Sequence, residues 1–298
     1  MSMKFFIEYY LVKTVLLFTK LFPNTFVYAF CKTIAHLFFK YNQRRTSLTL
    51  KNIHFAYPHK SEEQVHALAL EAYESVAITL AETLLMFNDR LDIDGMIENK
   101  NEILEKFEHY FKDTTRGKLL MTGHYSNWEL LAHFLGKSGY PIKNIAREGN
   151  NHLIDERIIQ PFRAKYGNKN IYKKNAIISL VKTLKQGLRV SILFDQKASG
   201  ANSVKTHFFG KEVQTVDVLA QLKLKYNPLV LPTFIVRGKN GKYTVVMKDP
   251  LEYIAEEESD ETQKIIKITQ LYNDTIEEVI KANPEQWFWM HDRWRIAK

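Results

Sequence analysis

From Gly117 onward, short apolar runs alternate with longer stretches that carry a helical apolar period, and few architectures accommodate that alternation. Residues 118–122, 142–147, 170–172, 189–195, 229–236 and 243–247 read as strands. Residues 128–136, 153–166, 176–186, 216–225 and 262–282 read as helices, the third of them stopped by Gly187. Strands separated by helices predict an α/β fold with a central mixed sheet flanked by helices. Ligand chemistry in such folds gathers on loops leaving the carboxyl ends of strands, here 122–127 and 195–203.

Upstream, Ser61 followed by Glu62-Glu63-Gln64 marks a helix start with acids in its first turn. Val65, Leu68, Ala72, Val76, Leu80 and Leu84 then recur at three- and four-residue steps, so one amphipathic helix runs to about Met86. A second is expected over 96–110. The 298 residues are 45% apolar with only 12 Gly and 8 Pro, which excludes a disordered or collagen-like chain. The lone Cys31 excludes an intrachain disulfide and a multi-cysteine zinc site, and fits a reducing compartment. No repeat or Gly/Ser linker divides residues 46–298, which read as one α/β domain behind an N-terminal segment, 1–45.

That segment is basic and aromatic. Residues 1–60 hold nine Lys/Arg against one acid, Glu8. The longest uncharged run, 21–31, is eleven residues broken by Pro23, well short of the roughly 20 apolar residues of a spanning helix. Two short helices joined at Phe22-Pro23-Asn24 are expected. The lysines at 13, 20, 32 and 40 would reach headgroup phosphates while Phe, Tyr and Leu enter the acyl boundary. The competing reading is an amphipathic pair packed on a soluble core. Residues 118–248 carry 22 basic against seven acidic side chains. An acidic carrier protein, anionic headgroups or a plain solvated face would each explain that centre. Nucleic acid is disfavoured, because no nucleic-acid motif accompanies the charge.

The strand at 118–122 runs into Gly123-His124-Tyr125-Ser126-Asn127-Trp128-Glu129. Ser126 or Asn127 is a natural N-cap, which leaves His124 on a loop and Glu129 in the first helical turn. With a bend between them, Glu129 can fold back onto one imidazole nitrogen and leave the other free to take a proton from an alcohol. A capping His and a solvent-facing Glu give the same pattern. No His-Glu-x-x-His or other metal spacing is present, so no metal is expected.

HYSNWE (124–129) resembles the His-x4-Asp/Glu signature of the bacterial lipid A biosynthesis (lauroyl/myristoyl) acyltransferases, within the lysophospholipid acyltransferase superfamily. NIHFAYP (52–58), Arg147 with Asn151 and Asp155, RAKYG (163–167), GLRVSILFDQ (187–196), FFG (208–210) and PEQWFWMHDRWR (284–295) resemble further elements of that family. The chain departs from the pattern after Thr215, where Val216-Asp217-Val218 replaces a Gly-rich run, and at Glu148, where Pro is common.

The resemblance implies transfer of a fatty acyl chain from an acyl-carrier-protein thioester to a hydroxyl of a saccharide lipid, with no cofactor beyond that donor. It implies His124 as general base, Glu129 as its orienter and Arg147 as the oxyanion donor. Asn127, Asn151, Asp195 and Gln196 are further candidates for substrate binding; Asp195 and Gln196 would hold the acceptor, position Arg147 or simply cap a turn. His291, Arg293 and the neighbouring tryptophans would contact lipid phosphate or dock the C-terminal segment. The expected partners are acyl carrier protein, a membrane lipid acceptor and an anionic membrane surface, at the cytoplasmic face of a bacterial inner membrane. Another acceptor (an amino-acid lipid, a polyene, a mannosylated glycolipid or a lysophospholipid) is the alternative, and a lipid-binding scaffold is the non-enzymatic one.

Overall fold

Six strands assemble into one sheet in the order β3-β2-β4-β1-β7-β8. They are β1 (Lys118–Thr122), β2 (Lys143–Ala146), β3 (Lys169–Tyr172), β4 (Arg189–Leu193), β7 (Leu229–Arg237) and β8 (Tyr243–Met247). The sequence places them in a computed structural model that describes residues 3–146, 148–172, 176–198, 200 and 202–295. All neighbouring pairs are parallel except β7 with β8, so the sheet is mixed. β1 is buried along its whole length because both faces of the sheet are covered. Leu119 and Met121 join one apolar cluster with α4 (Glu62–Phe87), α9 (Ala176–Lys185), α10 (Val218–Tyr226) and α11 (Glu261–Ala282). Leu120 joins a second with α5 (Lys100–Lys112) and α6 (Trp128–Lys137).

β1 and β4 are neighbours in register, Thr122 opposite Leu193, and the Phe194 amide donates to the Thr122 carbonyl at 2.9 Å. That pairing brings the residues after both strands, Gly123-His124 and Phe194-Asp195, to the same rim of the sheet.

Three elements differ from the sequence reading. The second helix begins at Lys100 rather than 96, because Ile97 bridges Tyr243 and the Glu98 amide donates to the Tyr243 carbonyl, extending the sheet edge instead. The helix expected over 153–166 is broken into α7 (His152–Ile154), a π-helical turn (Asp155–Ile159) and α8 (Gln160–Ala164). Pro161 in the first turn of α8 has no amide to donate. Between β4 and α10 a hairpin forms, β5 (Ser203–Phe208) with β6 (Lys211–Val216). Its two turn residues, Phe209 and Gly210, both have positive φ (51° and 69°), as a two-residue hairpin turn of matching twist requires.

At the N-terminus α1 (Met3–Leu21) and α2 (Asn24–Tyr41) meet at Phe22-Pro23, and α3 (Gln43–Ala56) follows. Val27 and Cys31 of α2 bury against Ala77, Ala81 and Leu85 of α4. The outer side of the same helices exposes Ile7, Leu11, Leu21, Phe22, Phe26 and Phe30. No helix of the described residues is long and apolar enough to cross a membrane.

Candidate active site

Gly123 is where the site begins. A Cβ there would stand 3.1 Å from the Asp195 Cγ, a crowded contact that glycine avoids as the carboxylate approaches the loop. Asp195 then accepts the His124 backbone amide on Oδ2 (2.9 Å), the His124 Nδ1–H on Oδ1 (2.9 Å) and the Trp287 indole N–H on Oδ2 (2.8 Å). Burial pushes the Asp195 carboxyl up, but the imidazole and these three donors outweigh it and hold it below the usual carboxylate range. The Asp195 carboxylate fixes the imidazole with its proton on Nδ1, and Nε2 has no protein partner among the described residues.

The expected His124–Glu129 hydrogen bond is absent, and this corrects the sequence reading. Glu129 is taken instead by Arg163 of α8, whose Nε lies 3.1 and 3.2 Å from the two carboxylate oxygens and whose Nη2 also donates to Oε1. A guanidinium fork satisfies both carboxylate oxygens, which one imidazole nitrogen cannot. Burial depresses the Arg163 guanidinium, and Glu129 more than restores it. His124, Glu129 and Arg163 line one cavity of about 180 Å³ between the sheet and α6, with Leu131, Leu135 and Ile142 in its walls. The Trp128 ring stands edge-on to the imidazole, centroids 5.2 Å apart.

The loop is braced from the C-terminal segment. Tyr125 bridges Trp287, the Ser126 amide donates to the Gln286 carbonyl (2.7 Å), and the Phe288 amide donates to the His124 carbonyl (3.0 Å). Arg293 is fully buried, donating to the Gln214 carbonyl and Thr215 Oγ1, both at 2.7 Å. His291 accepts the Lys197 amide on Nε2 (2.8 Å), and burial lowers its pKa, which keeps it a neutral acceptor. The C-terminal residues therefore dock and hold the loop after β4. The sequence motif PEQWFW had signalled the region but not the contact of Trp287 with Asp195.

The remaining candidates separate. Asn127 is buried: its Oδ1 caps α6 at the Leu130 amide (2.9 Å) and its Nδ2 donates to Glu82 (2.7 Å). Asn151 caps α7 and donates to the Phe5 carbonyl (3.0 Å) and Glu8 Oε2 (2.9 Å), so its polar atoms tie down α1 rather than face the cavity. Gln196 is half-buried beside Asp195. Arg147 lies outside the described residues; the preceding Ala146 lines the cavity. A second, apolar hollow of about 470 Å³ runs between α2 and α4 past Phe38, Val76 and Leu80 to Phe288, whose ring is 6.3 Å from the imidazole.

The chain is similar to known proteins over most of its length. The chain is 24% identical over 277 residues to the lipid A biosynthesis lauroyltransferase of Escherichia coli K12, covering 92% of this chain and 86% of that one. The palmitoleoyltransferase of the same organism is 23% identical over 262 residues, covering 85% and 79%. Lipid A biosynthesis acyltransferase 2 of Shigella flexneri is 21% identical over 247 residues, covering 80% and 74%. The family model for bacterial lipid A biosynthesis acyltransferases matches residues 2–296, nearly the whole chain, which makes it an acyltransferase and a member of that family.

Proposed function

We propose that this protein moves a fatty acyl chain from an acyl-carrier-protein thioester to a hydroxyl of a lipid A-type saccharide lipid, with His124 as general base. The carrying observation is the Asp195 clamp on Nδ1, which leaves Nε2 beside the cavity with no partner among the described residues. In this reading Nε2 takes the proton of the acceptor hydroxyl as its oxygen attacks the thioester carbonyl. The tetrahedral intermediate expels the carrier thiolate, and the proton passes from the imidazolium to that sulfur, giving an ester and a free thiol. Glu129 acts through Arg163, holding the guanidinium at the cavity wall where it meets acceptor phosphate. Arg147, the residue that follows Ala146 in the sequence, is assigned the oxyanion on the family resemblance. No cofactor takes part, so EDTA is expected to leave turnover unchanged.

Two surfaces support the partners. Lys182 and Lys185 of α9 and Lys225 of α10 are exposed without an acidic partner among the described residues, beside exposed Ile177 and Ile178, which suits an acidic carrier protein. The apolar outer face of α1 and α2 suits the cytoplasmic face of an inner membrane, where an amphiphilic acceptor resides. The test is transfer from acyl-carrier protein to an under-acylated lipid A precursor, read by mass spectrometry. One added acyl ester, lost in His124→Ala, supports the reading. Transfer only to another lipid class redirects the acceptor.

A further inference from the structure

Helix α4 grips the His124 loop at two consecutive residues. Thr79 Oγ1 donates to the Ser126 carbonyl (3.1 Å), and one turn later Glu82 accepts from Asn127 Nδ2 (2.7 Å). Ser126 stands at φ 51°, a left-handed conformation uncommon for a side chain other than glycine, and this bend separates His124 from the first turn of α6. Glu82 is 1% exposed, yet its carboxylate has no cation in direct contact among the described residues. It is surrounded by donors: Asn127 and the Tyr243 hydroxyl (2.5 Å) on Oε2, and the Tyr28 hydroxyl (3.4 Å) on Oε1. Burial pushes the Glu82 carboxyl above the usual carboxylate range; these donors and nearby Arg237, held by Ser75 Oγ at 2.8 Å, pull it back in part.

A buried carboxylate is an expensive way to fill space, since a neutral side chain would avoid the desolvation cost. What it supplies is polarity. A carboxylate only accepts, so it can face only the NH2 end of the Asn127 amide, and the Asn127 oxygen is then forced toward the Leu130 amide that it caps. A neutral amide at position 82 offers one acceptor oxygen where three donors converge, so its hold on Asn127 competes with Tyr243 and Tyr28.

We propose that Glu82 is a positioning residue for acyl transfer: its buried carboxylate sets the Asn127 amide, and through it the bend between His124 and the helix that presents Trp128 and Glu129 to the cavity. This rests on His124 being the base. The role in catalysis and the hold on the loop are therefore read separately.

The test compares Glu82→Gln, Asn127→Asp and the pair Glu82→Gln/Asn127→Asp by steady-state kinetics and by exchange of the Leu130 amide. Glu82→Gln is expected to lower kcat by about 10- to 100-fold, the scale of a misplaced catalytic group, with KM for both substrates within about twofold. Leu130 exchange should accelerate. Asn127→Asp sets two carboxylates face to face and should be worse. The pair exchanges donor and acceptor. The amide introduced at position 82 donates to the carboxylate introduced at position 127, whose other oxygen still caps Leu130, so kcat and protection return to within about threefold of wild type.

Tyr243→Phe removes a different donor from the same carboxylate, and is expected to lower stability while leaving kcat within about threefold. If Tyr243→Phe lowers kcat as far as Glu82→Gln, or the pair rescues neither measurement, the effect is general loosening of the core and the proposal falls. It falls equally if Glu82→Gln keeps native kcat. Should Glu82→Gln not fold, Asn127→Ser keeps a cap oxygen but cannot reach Glu82. A native kcat there overturns the proposal and a tenfold loss supports it. His124→Ala alone decides the base assignment, and Leu130 exchange alone decides the hold, so each can fail without the other.

Discussion

Asp195 binds His124 twice, once at the backbone amide and once at Nδ1, both at 2.9 Å, so one carboxylate fixes the loop and the tautomer together. The bond at Nδ1 decides which nitrogen carries the proton, and hence which can act as a base. Asp195→Asn would preserve shape but offer an amide with two possible orientations, one of which favours the wrong tautomer. Turnover is expected to fall by about 10²–10⁴-fold, approaching His124→Ala, in single-turnover acyl transfer. Near-native turnover in Asp195→Asn would remove the carboxylate from the mechanism.

The same carboxylate makes stability depend on pH. Its folded pKa is depressed, so its contribution is fully present above the unfolded carboxyl pKa of about 3.9 and is lost as pH falls through the lower folded value. Urea midpoints of wild type and Asp195→Asn should differ most above about pH 5 and converge on acidification. A gap that widens toward acid would show that the folded state raises this pKa instead.

Arg163 and Glu129 should behave as a unit. Arg163→Lys keeps the charge but loses the two-nitrogen fork, and about a tenfold loss in kcat/KM is expected. Glu129→Gln should cost a similar amount, and the double variant little more than either, because each single change already breaks the fork that fixes the cation at the cavity wall. Additive losses in this cycle would separate the two roles and return Glu129 to an independent function.

The strand and helix pattern, the loop carrying His124 and the strand that ends at Asp195 were legible in sequence, because periodicity and a strand ending in polar residues are local signals. The partner of His124 was not. Glu129 is five residues away and invites the pairing, whereas Asp195 is 71 residues away and arrives only because β1 and β4 are neighbours in the sheet. Arg163 was visible as part of an R-x-x-x-G pattern, but its carboxylate partner depends on how α8 docks beside α6. The β5–β6 hairpin escaped because two of its inward residues, Thr206 and Thr215, are polar and bond each other at 2.8 Å, hiding the alternation.

Membrane attachment is testable at the tip of the α1–α2 hairpin. Phe18, Phe22, Phe26 and Phe30 form a ladder of rings, with centroids 4.2 Å apart for Phe18–Phe22, 5.0 Å for Phe22–Phe26 and 5.2 Å for Phe18–Phe30. Phe22, Phe26 and Phe30 remain 39%, 45% and 40% exposed, so each still has apolar area to bury in a bilayer. Deleting both helices is the wrong test, because Val27 and Cys31 cover α4 and their loss would uncover Ala77, Ala81 and Leu85. Substituting the outward rings leaves that contact intact. Burying the exposed part of each ring contributes roughly 1 kcal/mol, under half the value for a fully exposed phenylalanine. Phe22→Ser/Phe26→Ser/Phe30→Ser should therefore bind anionic vesicles about 100-fold more weakly, with unchanged turnover on detergent-dispersed acceptor. Salt should weaken the wild type only in part, since apolar burial persists when the flanking lysines are screened. Vesicle binding that is unchanged in the triple variant, or abolished in wild type by salt alone, would place attachment elsewhere than on this ladder.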